Sequence, residues 1–142
     1  MLFRSGAIKA MSAALRDAQL TTNDISYINA HGTSTPFNDK TESAAIESLF
    51  GKQSSDLRVS STKSMIGHAL GASGALEAVV CVKSIVDGIA PPTINYEHPD
   101  PECALNYIPN KSEKFAINAT MSNSFGFGGH NAVIVFKKWD ED

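Results

Sequence analysis

At 142 residues, with 42% hydrophobic and 19% charged side chains, the chain can enclose one modest core. Its net charge of −3, with 12 Lys and Arg scattered along the chain, speaks against nucleic acid or an anionic membrane surface as partner. Two isolated cysteines, Cys81 and Cys103, build neither a disulfide framework nor a zinc spacing, and no apolar run approaches the ~20 residues that span a bilayer.

The opening residues Met1–Gly6 lack a signal-peptide core, so a cytoplasmic protein is expected. Ile8, Met11, Ala14, Leu15 and Ala18 recur at helical spacing and predict an amphipathic helix from Arg4 to Ala18. Thr21–Asp24 is a polar break, and the Ile- and Tyr-rich stretch Ile25–Ala30 predicts a strand. His31 then falls at a strand's carboxyl end. A second helix is predicted with Asn38 or Asp39 as its cap, Ala45, Ile46, Leu49 and Phe50 on its apolar face, and Gly51 as its stop. Leu57–Ser60 predicts a short strand. Lys63–His68 leads from it into a third helix that runs to about Asp87, with Gly88 beyond it and Gly67, Gly71 and Gly74 along one side.

Residues 90–101 hold four of the six prolines and read as an ordered loop. Phe115, Ile117, Ala119 and Met121 alternate as a strand does, and Ala132–Phe136 predicts its hairpin partner across a glycine-rich turn. Asp140-Glu141-Asp142 reads as a frayed end. The order αβαβα followed by a hairpin predicts one α/β layered domain over residues 1–142, with a mixed sheet packed by helices.

Three motifs could carry chemistry: Asn29-Ala30-His31-Gly32-Thr33-Ser34-Thr35-Pro36, Lys63-Ser64-Met65-Ile66-Gly67-His68, and Asn123-Ser124-Phe125-Gly126-Phe127-Gly128-Gly129-His130-Asn131. Taken singly, His31 reads as a loop histidine with a local hydrogen bond or as a catalytic donor or base. His68, read at a helix N-terminus, is disfavoured from carrying positive charge and would donate as a neutral ring; its plainer reading is a satisfied, part-buried histidine. Asp39 and Glu42 share one helical face and could brace Lys63, or simply favour a helix N-terminus. The glycine turn could offer backbone N–H groups as an oxyanion hole, or be a tight hairpin. It lacks the Lys-Ser/Thr of a phosphate-binding loop, and the histidines lack metal-ligand spacing. Cys81, among valines, reads as core packing, and Cys103 has no activating neighbours.

Together, in this order and spacing, the motifs closely resemble the elongating β-ketoacyl-acyl carrier protein synthases of type II fatty acid synthesis, which have the thiolase-like fold. The resemblance runs from about Ser5 to Lys138, and Pro91-Pro92-Thr93-Ile94-Asn95 fits it too. It covers the carboxyl-terminal half of that fold only; the nucleophilic cysteine belongs to the amino-terminal half. The resemblance implies that His31 and His68 hydrogen-bond the malonyl thioester carbonyl and stabilise the enolate as carbon dioxide leaves. It implies that Lys63 is the active-site lysine, supported by Glu42 and Asp39. The Phe127 N–H would complete the oxyanion hole, Phe127 would gate the acyl pocket, and Phe125 would lie with it on the substrate side. Thr33 and Thr35 would bind the phosphopantetheine arm of the carrier. Asn29, Glu77, Ser122 and Asn123 resemble a monovalent-cation site; no other cofactor is implied. Two histidines mark the elongating class over the initiating one, and His130 stands where threonine is commoner.

The implied partners are an acyl carrier protein and the amino-terminal half. Exposed apolar surface beside the glycine-bearing helix is expected to make copies associate. The leading expectation is the carboxyl-terminal part of a 3-oxoacyl-[acyl-carrier-protein] synthase, an acyltransferase inactive alone for want of a thiol. The alternatives are a non-catalytic binding or structural module, or a relic of a split synthase. A stand-alone hydrolase or thiolase using Cys81 or Cys103 is disfavoured by their settings.

Overall fold

The computed structural model describes residues 2–139; the acidic end at Asp140–Asp142 lies outside them. Helix α1 (Leu2–Asp17) buries Ala7, Met11 and Leu15, one residue per turn, as the apolar spacing dictates. It leads to β1 (Tyr27–Asn29), after which α2 (Pro36–Phe50) begins two residues earlier than Asn38. The cap is Thr35, whose Oγ1 accepts the Asn38 N–H at 3.3 Å, and Pro36 takes the first helical position where no N–H is needed. Gly51 closes α2 at φ +57.

After β2 (Arg58–Ser60) the expected long helix is divided. A single turn, α3 (Lys63–Ile66), stops at Gly67 (φ +73), and α4 (Ser73–Asp87) starts only after a 3-10 turn at Leu70–Ala72. Of the three glycines, only Gly74 therefore lies in the long helix, where its α-carbon faces Ser124. Gly88 ends α4 in the left-handed conformation. The remaining elements are β3 (Ile89–Ala90), β4 (Asn106–Tyr107), β5 (Glu113–Lys114), β6 (Ala119–Phe125) and β7 (Asn131–Lys137).

The main sheet has the order β4-β2-β1-β6-β7; β7 alone is antiparallel to its neighbour, and β3 and β5 form a separate small ribbon. The strand predicted from Phe115 begins only at Ala119 and does not alternate, because β6 is central and buried on both faces. One face packs α1 and α2 through Met11, Ile28, Ile46, Val59 and Met121. The other packs α4 through Tyr27, Cys81 and Ile108. Each large apolar side chain so enclosed contributes about 1.5–3 kcal/mol.

Helix α4 has an inverted surface. It turns Ser73, Glu77, Cys81 and Ser84 to the sheet and leaves Leu76, Val79, Val82 and Val86 exposed. No described helix is long and apolar enough to cross a membrane.

Candidate active site

The parallel strands β1, β2 and β6 deliver all three motifs to one edge of the sheet, at their carboxyl ends, where α/β sheets place their sites. His31 follows β1, Lys63 opens α3 after β2, and Phe125 ends β6. The His31 and His68 rings meet edge to face, their centroids 5.7 Å apart, and Phe125 lies 6.0 Å from His31. Burial, with Lys63 and His68 adding repulsion, pushes the His31 imidazole down to about 4, so it is neutral at pH 7.

His68 precedes α4 by five residues instead of opening it, so its ring is set by loop contacts and not by a helix terminus. Its Nδ1 accepts the Leu70 N–H at 3.1 Å and lies 3.2 Å from Ser73 Oγ. With Nδ1 an acceptor, the neutral ring carries its proton on Nε2 and presents it as a donor. Leu70 holds that N–H in place at φ +51, a left-handed conformation that costs a non-glycine residue about 1–2 kcal/mol.

The lysine network differs from the expected one. Lys63 is buried and pairs with Glu77 across from α4, not with Glu42 or Asp39. Asp39 instead accepts from the Asn38 side chain at 3.1 Å. Glu42 is also buried, and each of its oxygens takes two N–H donors. Oε1 accepts from the His31 N–H (2.9 Å) and the Asn123 amide (3.1 Å); Oε2 accepts from the Gly32 N–H (3.0 Å) and the Asn38 amide (3.2 Å). Burial raises the Glu42 carboxyl, and these donors pull it back. Burial likewise raises Glu77, against the pull of Lys63.

Three partners carry no motif signal. Ser61 Oγ donates to the Gly32 carbonyl at 2.7 Å, while Ser73 and Leu70 orient His68. Glu77, expected only as part of the cation site, is the partner of Lys63.

Thr33, Thr35, Asp39 and Lys63 border a cavity of about 760 Å³ that also reaches Cys103 and Tyr107. Neither His31 nor His68 lines it. Thr33 Oγ1 lies 3.1 Å from Thr35 Oγ1. Phe127 heads the glycine turn with its side chain 99% exposed, and Gly128 and Gly129 supply the positive φ angles that close it.

The residues expected around a monovalent cation are split by the sheet. Asn29 and Ser122 are cross-strand neighbours, and strand alternation puts both on the α4 face with Glu77, whose Oε2 is buried without a partner. The Asn123 side chain turns to the opposite face, toward Met11 and Glu42. An orphaned carboxylate oxygen on the same face as two oxygen-bearing side chains fits a hard cation; the Asn123 side chain turns away from it. Among the described residues no cluster of His, Cys, Asp and Glu suits a transition metal.

Residues 3–97 match the family "Beta-ketoacyl synthase, C-terminal domain". The chain is 53% identical over 134 residues to the 3-oxoacyl-[acyl-carrier-protein] synthase 2 of Synechocystis sp., and 52% identical over 135 residues to that of Staphylococcus aureus. These alignments cover 94% and 95% of this chain but 32% and 33% of the relatives, so the chain spans about a third of their length. Among solved structures it superposes on a β-ketoacyl synthase from Burkholderia phymatum with TM-score 0.90 and 42% identity, covering 96% of this chain and 33% of that one. It also superposes on a type II polyketide ketosynthase in complex with its acyl-carrier protein, with TM-score 0.92 and 40% identity, covering 96% and 34%. The match to the family over residues 3–97, the sheet shared with solved ketosynthases and a sequence more than half identical to curated synthases place this chain in the β-ketoacyl synthase family, as its C-terminal domain.

Proposed function

We infer that this chain forms the decarboxylating side of an elongating 3-oxoacyl-[acyl-carrier-protein] synthase. The observation that carries this reading is the edge-to-face pair of His31 and His68, one held neutral by burial and the other presenting Nε2–H. A malonyl thioester with its carbonyl oxygen between the rings receives two N–H donors. The bond to the terminal carboxylate then breaks, its electron pair moves into the enolate, and carbon dioxide leaves. Neutral imidazoles stabilise the growing oxyanion without surrendering a proton, and one such preorganised donor is worth about 3 kcal/mol. Lys63 adds a nearby positive charge that disfavours protonated His31, and Glu77 satisfies Lys63.

The enolate carbon then attacks an acyl thioester held on a cysteine. No described cysteine suits that role: burial pushes Cys81 up to about 11 and raises Cys103. The thiol comes from elsewhere in the synthase, and the exposed aliphatic face of α4 is the surface that packs against the segment carrying it. The Phe127 N–H serves the oxyanion formed in that attack, with Phe125 and Phe127 bordering the acyl side. Thr33 and Thr35 offer hydroxyls to the pantetheine arm. An acyl carrier protein is the natural donor, in keeping with the relative solved in complex with one. Asn29, Ser122 and Glu77 Oε2 would hold a monovalent cation, which would supply positive charge near Glu77; no organic cofactor is needed.

The test joins this chain to a thiol-bearing synthase segment and follows release of labelled carbon dioxide from malonyl-carrier protein. His31→Ala and His68→Ala should each slow release by about 100-fold or more. This chain alone should form no 3-oxoacyl product. Unchanged release in both histidine variants overturns the reading.

A further inference from the structure

Glu42 is a buried carboxylate whose hydrogen-bond partners among the described residues are all N–H donors, while Lys63 pairs with Glu77. Its four N–H donors come from three separate segments: the His31–Gly32 loop after β1, Asn38 in the first turn of α2, and Asn123 near the end of β6. Asn123 lies two residues before Phe125 and four before Phe127. The carboxylate thus touches the backbone of one half of the site and the strand that leads to the other half. Gly32 is fixed from its opposite side as well, since Ser61 Oγ holds its carbonyl.

We propose that Glu42 is a positioning residue that locks the His31 loop to the end of β6 and so sets the distance between the decarboxylation donor and the Phe127 turn. It does not act through Lys63 and does not touch substrate. Only an acceptor with both oxygens free can serve, because every partner is an N–H donor. Glutamine has the same shape but replaces one oxygen with an amide nitrogen, which leaves N–H groups facing N–H groups. The interaction is lost at the backbone of His31 or Gly32, while the side chain's volume is kept.

This inference rests on the decarboxylation reading, so two measurements separate the two. The first, on the full chain, is amide hydrogen exchange. In Glu42→Gln, exchange at His31 and Gly32 should accelerate on the order of 10-fold, while Ala45 and Ile46 keep their protection. Asn123→Ala, which removes one donor and spares the carboxylate, should leave His31 and Gly32 protected and loosen Phe125. The second, on the joined enzyme, is the rate of carbon dioxide release. Glu42→Gln should lower kcat on the order of 10-fold with KM unchanged, since an interaction that aims a donor is realised in the transition state.

Unaltered exchange at His31 and Gly32 overturns the proposal. So does faster exchange with an unchanged kcat, or a fall that appears only as a higher KM. An inert unsubstituted enzyme overturns the decarboxylation reading instead, and the clamp is then decided by the exchange data.

Discussion

The His31 loop and the Phe127 turn meet at the same edge of the sheet but are held in opposite ways. The His31 loop is anchored from both sides: Glu42 takes its N–H groups and Ser61 takes the Gly32 carbonyl. The Phe127 turn is closed at its neck by the Gly126 N–H on the His130 carbonyl at 2.7 Å, and its phenylalanine stands in solvent. The difference separates two ways of building a site. A donor that must meet developing charge is preorganised by buried polar groups of its own chain. In the proposed synthase Phe127 gates the acyl side, and such a gate can stand open until a further segment packs against it.

The largest effect that could break this contrast is at the buried pair behind the histidines. Glu77→Gln leaves Lys63 buried without a countercharge and should lower the unfolding free energy by about 3–5 kcal/mol in urea denaturation. Replacing both, with Lys63→Met and Glu77→Leu, should recover most of that loss. A loss below about 1 kcal/mol for the single variant would mean that the histidine side does not depend on its buried support.

Alanine at two glycines sharpens the contrast next. Gly32 and Gly129 both have positive φ, and alanine there costs about 1–2 kcal/mol for the backbone alone. At Gly32 a Cβ would lie 2.5 Å from Ser61 Cβ, whereas at Gly129 it meets open space. Gly32→Ala should therefore be worse by a further 1–3 kcal/mol or so. Equal melting shifts would show that the loop is no more tightly held than the turn.

A third test uses pH. The His31 pKa is about 4 in the folded chain against an ordinary value of 6.5. As pH falls below 6.5 the unfolded chain takes up this proton first, so the stability present above that value declines until pH reaches about 4, then levels. An NMR titration of the His31 ring should show the low pKa directly, and Lys63→Met should raise it and narrow the window. A midpoint near 6.5 in the unsubstituted chain would remove the argument for a neutral donor enforced by burial. The smallest effect is expected at the glycine turn: Phe127→Ala should change stability by no more than about 0.5 kcal/mol, because the residue is exposed.

Much of the fold was legible because its signals are local. Gly51 and Gly88 end helices where expected, and His31 lies just past its strand, which runs Tyr27–Asn29 instead of Ile25–Ala30. The cap of α2 was misplaced because Asn38 and Asp39 are also good capping residues, and Thr35-Pro36 decides the start. The division between α3 and α4 was missed because Leu70, Gly71 and Ala72 continue an apolar pattern, while the chain turns on the backbone angles of Gly67 and Leu70.

By itself, the sequence determined the main helices and strands and the three motifs, since propensity, periodicity and turn chemistry act within a few residues, and the order of those motifs carried the family resemblance; the two-residue strands β3, β4 and β5 have no such local signal. The tertiary structure decided which charge meets which. The resemblance implies Glu42 and Asp39 as supports of Lys63, whereas the structure pairs Lys63 with Glu77; Glu42, 11 residues from His31 and 81 from Asn123, serves both of those. Those pairings follow from the order β2-β1-β6 and from which face of each strand a side chain takes, and neither is written in a local window. The same holds for α4. Cys81 is core as its valine setting suggests, and the exposed Leu76, Val79, Val82 and Val86 agree with the apolar surface expected beside this helix; that Ser73, Glu77 and Ser84 form the buried stripe was decided by which side packing selects.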